Sequence, residues 1–157
     1  MSASYRLPDE PRPGPLSHLV VNPMWPLLAV MFGGVWLSWP WFLFNGWALG
    51  SPTRLREALV VGAGIVGSFV LVFASLILVT KLHLPLDTLT YLFTTNLIWK
   101  LGVTYLLAET QGRGFGVYQY YGGTVRNGIL VAIPVAFFLR PKVVALIGTS
   151  ILGEVLL

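Results

Sequence analysis

The chain has 157 residues, of which 55% are apolar and only 10% are charged. Soluble domains carry about 45 to 50% apolar and about 25% charged residues, so this composition argues against a soluble fold. The net charge of +4 comes from basic residues spread singly or in pairs at the edges of apolar segments, which argues against a nucleic-acid partner. The absence of cysteine excludes disulfides and thiolate metal sites.

Long uncharged stretches are the main feature of the chain. Residues 13–53 and 58–80 contain no charged side chain, and residues 88–108 contain only Lys100. A helix needs about 20 apolar residues to cross a hydrocarbon core about 30 Å thick. The sequence therefore predicts an all-α, polytopic integral membrane protein, a bundle of about four transmembrane helices.

The predicted elements follow one another closely along the chain. Residues 1–18 are polar and rich in proline, which denies helix hydrogen bonds, so they predict a flexible tail without a removable signal peptide. Residues 19–157 are predicted to form a single transmembrane helical domain. Its predicted spans are 23–45, 58–80, 88–108 and 122–139, followed by a short helix at 142–155.

The first two spans contain features that bear on packing. In the first, Pro40 predicts a kink or an end of the helix, and the surrounding tryptophans are typical of a membrane interface. In the second, small residues four apart would let another helix approach closely, with a helix of the same chain preferred as the partner over a second copy. These residues are Ala63 with Gly67 and Gly64 with Ser68.

Residues 109–126 are rich in glycine and tyrosine and predict a loop or an interfacial segment. Their G-x-G-x-G pattern lacks the strand and the Lys-Ser/Thr pair of a phosphate-binding loop. The basic and aromatic side chains of this segment predict a contact with lipid headgroups or with a partner protein. They are Arg113, Tyr118, Tyr120, Tyr121 and Arg126.

The last part of the chain has two readings. Arg140, Pro141 and Lys142 separate two apolar runs that are each short for a full crossing. We favour a fourth helix at 122–139 followed by a short terminal helix, and the alternative is a broken or re-entrant element. Four spans would place five basic residues on one side of the membrane and four on the other, so the charges leave the orientation open.

Lys100 is the most unusual residue, because it lies just past the middle of a predicted span. Helical spacing places it on one stripe with Asn96 and Thr104. An unshielded lysine at mid-bilayer costs at least about 2.5 to 3.5 kcal/mol, so it needs a partner or a long reach to the headgroups. The candidate partners are Glu154 and Glu57, with Asp87 and Glu109 near the ends of its own helix. The stripe predicts either a path for an anion or proton or a structural ion pair, and we favour the structural pair.

The functional predictions rest on what the residue patterns offer. His18 and His83 would reach the same side of the membrane, but two histidines make a poor metal or haem site, so no metal and no cofactor is predicted. No catalytic motif is visible, and the preferred function is a non-catalytic subunit or assembly factor of a larger membrane complex. The alternatives are an oligomeric channel or small transporter using Lys100, or an interfacial enzyme handling a lipid or quinone. The expected partners are the lipid bilayer and other membrane subunits or a second copy.

Overall fold

The computed structural model describes residues 11, 14–83, 85 and 87–157. Most of the predicted flexible tail, including residues 1–10, lies outside the described residues. The helices are a 3₁₀ turn at Pro15–Leu19, α1 at Met24–Gly33, α2 at Val35–Leu49, α3 at Arg54–Leu82, α4 at Asp87–Tyr120, α5 at Ile129–Pro134, α6 at Arg140–Ile147 and α7 at Ile151–Leu156. The predicted all-α class is confirmed.

The chain reverses within the predicted first span, so the prediction of one helix at 23–45 is wrong. Gly34 ends α1 and begins α2 with φ at 93°, a backbone conformation that favours glycine. Val21, which precedes α1, exchanges two hydrogen bonds with the side chain of Asn45 near the end of α2. The two helices are therefore antiparallel, and α2 runs through Pro40, where the sequence predicted a kink or an end.

Helices α3 and α4 form a long antiparallel pair. Helix α3 has 29 residues and α4 has 34, which correspond to about 43 and about 51 Å at about 1.5 Å per residue. The indole N–H of Trp99 on α4 donates to the carbonyl of Gly64 on α3 at 3.0 Å. Threonines along α4, such as Thr94, return their hydroxyl hydrogen to a carbonyl one turn earlier, which satisfies these polar groups within the helix.

The predicted loop at 109–126 is wrong over most of its length, because α4 continues to Tyr120. Each interior glycine costs a helix about 1 kcal/mol relative to alanine, and this segment contains several. Packing outweighs that cost: Phe115 and Tyr118 are buried against residues of the N-terminal segment and of α2, namely Val20, Ala48 and Leu49.

The predicted boundary between helices 122–139 and 142–155 is also wrong. A π-helical turn at Val135–Leu139 joins α5 to α6, so that Ile129–Ile147 is one continuous helix. The π-helical turn widens the helix just before Pro141, where the proline ring would otherwise crowd the preceding turn. The chain then turns, and the Ser150 side chain caps α7 by accepting a hydrogen bond from Gly153.

The bundle has two ends. We call the end that contains residues 14–21, 50–53 and 121–126 the broad end, and the end that contains His83 and residues 148–150 the narrow end. The α1–α2 hairpin starts from the broad end and α7 starts from the narrow end.

The tips of these two elements meet inside the bundle. A Cβ atom on Gly34 would lie 2.8 Å from the carbonyl oxygens of Leu156 and Leu157, so the contact needs glycine for its space as well as for its φ. The main core lies beside this contact, between the hairpin and α3 and α4. Its buried residues are Val30, Val35, Trp39, Phe42, Val61, Val103 and Leu107.

Candidate functional site

Lys100 is buried and meets the terminal helix. Its ammonium donates a hydrogen bond to the main-chain carbonyl of Glu154, and the side-chain amide of Asn96 donates to the same oxygen at 2.9 Å. Glu154 lies among the last four residues of α7, whose carbonyls have no partner within the helix. A cation is also favourable at the negative, C-terminal end of a helix dipole. Lys100 and Asn96 together therefore fasten the end of α7.

Among the candidate partners, Glu154 is the residue that Lys100 contacts, but the contact uses its backbone. The predicted ion pair between Lys100 and the Glu154 carboxylate is replaced by a bond to the carbonyl oxygen. Thr104, the third member of the stripe, is fully buried and donates to the carbonyl of Lys100 at 2.7 Å. It also accepts a hydrogen bond from the Trp39 indole at 3.0 Å, which ties α4 to α2.

Space and unused polar atoms lie near this junction. A cavity of about 250 Å³ is lined by Val72, Phe93, Ser150 and Glu154 between α3, α4 and α7. The Asn96 side-chain oxygen is buried without a hydrogen-bond partner among the described residues. Buried polar atoms are normally paired, so the junction contains a hydrogen-bond acceptor that the fold leaves unused.

A second buried polar cluster lies near the broad end. The Glu57 carboxylate is 1% exposed, and it accepts hydrogen bonds from the hydroxyls of Ser51 and Thr53 at 2.9 and 2.8 Å. The side-chain amide of Gln111 donates to its other oxygen at 2.9 Å. Three donors thus hold one buried carboxylate, the arrangement that a charge needs away from water.

Gln111 extends this cluster into a network across four segments. Its amide also donates to the Phe42 carbonyl at 2.9 Å, and its carbonyl oxygen accepts from Asn45 at 2.7 Å. Asn45 in turn bonds the backbone of Val21. We call Asn45, Ser51, Thr53, Glu57 and Gln111 the polar network, since they join the start of the hairpin, α2, α3 and α4.

The sequence prediction missed this network and considered Glu57 only as a partner for Lys100. The structure places Glu57 beside Gln111, which is eleven residues along α4 from Lys100, or about 16 Å. The available signal was the presence of Asn45 and Gln111 next to apolar stretches, where amides need partners. Which amide meets which carboxylate depends on the hairpin turn at Gly34.

The predicted interfacial residues divide into buried and exposed ones. Tyr118 is buried, and its hydroxyl donates to the carbonyls of Ser17 and Thr124 at 3.1 Å each. Tyr120 and Tyr121 are exposed and lie edge to face, with ring centroids 5.5 Å apart. Tyr118 therefore holds the broad end together. Of the three tyrosines in this segment, Tyr120 and Tyr121 are the ones available to a lipid or a partner.

The two arginines of the same prediction are also separated. Arg113 is exposed on α4 and pairs with Glu109 one turn earlier at 3.3 Å. Arg126 donates from its side chain to the carbonyl of His18 at 3.2 Å, and its backbone N–H donates to the carbonyl of Val20 at 2.7 Å. Arg126 thus secures the N-terminal segment to the residues before α5.

The small residues of α3 also take different positions. Gly64 lies under Trp39 of α2 and Val103 of α4, and Gly67 lies under the Trp99 ring. Ser68 is fully buried and Ala63 is exposed. Close approach at Gly64 and Gly67 is therefore used by aromatic side chains of the same chain.

The two histidines lie at opposite ends of the bundle, so the predicted shared side is wrong. His18 belongs to the broad end, where its carbonyl accepts the Arg126 bond. His83 caps the far end of α3. The difference arises because the hairpin returns the chain to the broad end. Among the described residues, no group of three or more histidine or acidic side chains is arranged to hold a metal.

No protein-family model, curated protein or solved structure matches this chain. The function proposed below therefore depends on the geometry of the chain itself. Its central features are the Lys100 junction with α7, the polar network, and the helix at Ile129–Ile147.

Proposed function

We propose that the chain is a multi-pass integral membrane protein that crosses the bilayer three times. Two helices, Arg54–Leu82 and Ile129–Ile147, are long and apolar enough to cross. Helix α4 packs antiparallel along α3 and would cross with it. The hairpin and α7 would enter from opposite faces without crossing, an arrangement that is tolerated where the irregular backbone is shielded by protein, as it is at the buried Gly34.

The charges of this three-span arrangement favour one orientation. Excess lysine and arginine near membrane ends marks the cytoplasmic side. Because the hairpin doubles back, the basic residues at the ends of the three spans divide four to one in favour of the broad end, while Lys100, Arg140 and Lys142 lie within the spans and are not counted. The counted residues are Arg54, Arg56, Arg113 and Arg126 at the broad end and Lys81 at the narrow end. The broad end is therefore expected to be cytoplasmic.

Single cysteines test this arrangement directly, since the chain has none of its own. Leu16→Cys and Tyr121→Cys lie at the broad end, and Thr149→Cys lies at the narrow end, all at exposed positions. A membrane-impermeant thiol reagent added to intact cells is expected to label only Thr149→Cys, and the other two after permeabilisation. The four-span arrangement predicts instead that Leu16→Cys and Tyr121→Cys are labelled from opposite sides.

Within the membrane, the proposed function is that of a non-catalytic subunit or assembly factor of a larger complex. The observation that carries it is the helix at Ile129–Ile147, of whose most apolar stretch only 6% is buried in the chain. Arg140 and Lys142 are exposed on this helix, two and four residues past its middle residue, Phe138. A cation facing lipid at the centre of a span costs about 2.5 to 3.5 kcal/mol on insertion scales, and Arg140 lies about 3 Å from that depth and Lys142 about 6 Å.

A partner that supplies carboxylates or polar groups at this depth would cover both cations. The Lys100 ammonium, in contrast, already has a partner in the Glu154 carbonyl, so the stripe serves the fold itself. The cations that still need a partner, Arg140 and Lys142, therefore lie on the outside of the bundle, on the helix at Ile129–Ile147. An uncovered helix with two cations is typical of a protein that assembles with others.

Native mass spectrometry of the protein extracted gently from its own membrane tests the subunit proposal. We expect a second protein to co-purify, and the double variant Arg140→Leu/Lys142→Leu to lose it at least tenfold. The control Lys81→Leu, which removes an exposed basic residue at the end of α3, should retain it. A single chain accompanied by lipid alone would contradict the proposal.

A second function, an oligomeric channel or small transporter for an anion or proton, is favoured by a specific observation. Two discontinuous elements, the hairpin and α7, meet near Lys100. The cavity of about 250 Å³ that Glu154 helps to line lies next to α7, toward the narrow end. Discontinuous helices that end near the midplane are typical of transport sites. A homo-oligomer in the native mass spectrum would support this function.

Flux through reconstituted vesicles then decides the role of Lys100. If the chain conducts an anion or a proton, Lys100→Met should abolish the flux, whereas Lys81→Met should leave it unchanged. Flux that persists in Lys100→Met would remove Lys100 from the path.

A further inference from the structure

A cavity of about 360 Å³ lies at the broad end, where α3 begins and α4 passes the proposed membrane surface. It is separate from the Lys100 junction and from the exposed face of the helix at Ile129–Ile147. The residues that matter for its chemistry are Ser51, Thr53, Arg56, Leu106, Glu109 and Arg113.

The donors available to a ligand in this cavity are its two guanidinium groups. The hydroxyls of Ser51 and Thr53 line the wall but donate inward to Glu57, so they have no hydrogen left for an anion. Arg56 and Arg113 are both exposed. Guanidinium groups present paired N–H donors that match the oxygens of a phosphate.

Glu109 is the acidic residue in the wall, and it already pairs with Arg113 at 3.3 Å. The two side chains of this pair are 53% and 81% exposed, so solvent screens the attraction and the pair holds Arg113 only weakly. Arg113 can therefore turn toward a phosphate at little cost. The N-terminal end of the α3 dipole, next to Arg56, adds a favourable field for an anion.

Apart from Thr110, whose hydroxyl donates to the Leu106 carbonyl, the rest of the cavity wall is apolar. Leu106, which is 46% exposed, and Val117 lie on α4 to either side of Arg113. In the proposed arrangement Leu106 lies on the membrane side of the arginine. A ligand with a phosphate and a hydrocarbon chain would place the phosphate against the guanidinium groups and the chain along Leu106.

We propose that this cavity binds the phosphate group of a membrane phospholipid, through Arg56 and Arg113. The site rests on the membrane location proposed above. It lies at the depth of the lipid headgroups, because α3 enters the membrane here and α4 leaves it. Free inorganic phosphate offers the same oxygens, so the two sources are separated by experiment.

Lipid binding to the full chain in detergent micelles tests the site. Phosphatidylglycerol is titrated and its bound fraction is read by native mass spectrometry for the wild type, for the double variant Arg56→Gln/Arg113→Gln, and for Arg54→Gln. Arg54 is exposed and outside the cavity wall, so its variant makes the same substitution once, with the loss of one positive charge, without touching the site. We expect affinity to fall about tenfold for each cavity arginine lost, and Arg54→Gln to retain it.

Two further ligands identify what is recognised. Diacylglycerol, which has the chains but lacks the phosphate, should not bind. Inorganic phosphate that displaces phosphatidylglycerol at millimolar concentration would assign the site to the free anion, and failure to displace it would assign the site to the lipid. The arginine dependence supports a phosphate site in both cases, and displacement by the free anion overturns its assignment to a lipid.

Equal binding of phosphatidylglycerol by the wild type and the double variant would overturn the site, as would equal binding of diacylglycerol. Unfolding of the variants is measured alongside, and we expect it to be unchanged because both arginines are exposed. Carbonate washing of membranes separates this failure from failure of the membrane proposal. A wild type that stays in the membrane without arginine-dependent binding refutes the phosphate site alone.

Discussion

The Lys100 junction and the polar network both bury charged or amide side chains in an apolar bundle, but they hold different parts of it. In the network, Gln111 and Glu57 join long helices through side-chain bonds. At the junction, Lys100 and Asn96 hold the backbone of α7, which has only six residues. Helices that short are unstable alone, so α7 depends on its contacts.

This difference assigns the two sites different consequences. Loss of the network should weaken the whole bundle, because it connects the hairpin to both helices of the long pair. Loss of the junction should release α7 while the long pair stays folded, since within the described part of the chain the Lys100 ammonium bonds α7 and no other element. The most unusual residue of the sequence is thus expected to matter locally, and the less conspicuous Gln111 globally.

The largest expected effect is that of Gln111→Leu. The change removes the hydrogen bonds to Asn45, to the Phe42 carbonyl and to the Glu57 carboxylate, and it leaves a buried charge with fewer donors. We expect the free energy of unfolding to fall by about 3 kcal/mol. It is measured by unfolding in mixed detergent micelles, followed by tryptophan fluorescence.

Thr110→Val is the matched control for Gln111→Leu. Among the described residues, the Thr110 hydroxyl bonds the carbonyl of Leu106 on its own helix and no other group, so its loss should change stability by less than about 0.5 kcal/mol. If the two variants unfolded alike, the polar network would not be what joins the helices.

A smaller effect is expected from Gly46→Ala, which tests the network without removing a polar group. A Cβ atom at Gly46 would overlap the Glu57 carboxylate and lie 3.0 Å from the Gln111 amide, so the network must shift. Crowding of this kind costs about 1 to 3 kcal/mol. Measured in the same unfolding assay, Gly46→Ala should be about 2 kcal/mol less stable than the wild type.

Gly102→Ala on α4 makes the same chemical change where space is free: apart from the adjoining residues and backbone of α4 itself, no atom of the described residues lies within 4 Å of the added Cβ. This control should be neutral or gain up to about 1 kcal/mol from alanine's better helix propensity. Equal losses at Gly46 and Gly102 would mean that glycine at Gly46 serves the helix itself and not the network.

The sequence predicted the properties that depend on one segment alone and missed the structure that depends on contacts between distant segments. The all-α class and the apolar helix of residues 58–80 follow from composition and hydropathy, which are local. The helical course of residues 109–120 could not be predicted, because it depends on the N-terminal segment packing on Phe115 and Tyr118. The hairpin at Gly34 was hidden within an apolar run long enough to cross a membrane.

The candidate site shows the same limit. Helical spacing grouped Asn96 with Lys100, and the shortage of acidic residues left Glu154 among a few candidate partners; in the structure both side chains bond the Glu154 carbonyl. That the contact is with a carbonyl could not be predicted, since it requires α7 to end beside Lys100. The sequence shows which side chains need hydrogen-bond partners. Which atoms become those partners depends on how segments far apart in the chain pack together.

The smallest effect on the bundle, and the sharpest test of the comparison, is expected from Lys100→Met. The change removes one of two donors to the Glu154 carbonyl, but it also removes the cost of burying an ammonium, and these terms oppose each other. Unfolding of the bundle should therefore shift by less than about 1 kcal/mol. The Glu154 carbonyl would then keep Asn96 as its remaining side-chain donor, so the end of α7 should open more often.

A cysteine at Val155 reads that opening, because this α7 side chain is fully buried. In a Val155→Cys background, Lys100→Met should raise the rate of thiol labelling about tenfold, as expected when about 1.4 kcal/mol of holding energy is lost. Lys81→Met in the same background should leave the rate unchanged. A bundle destabilised as much by Lys100→Met as by Gln111→Leu would instead place Lys100 among the residues that hold the long helices, because release of a six-residue helix alone cannot account for so large a loss.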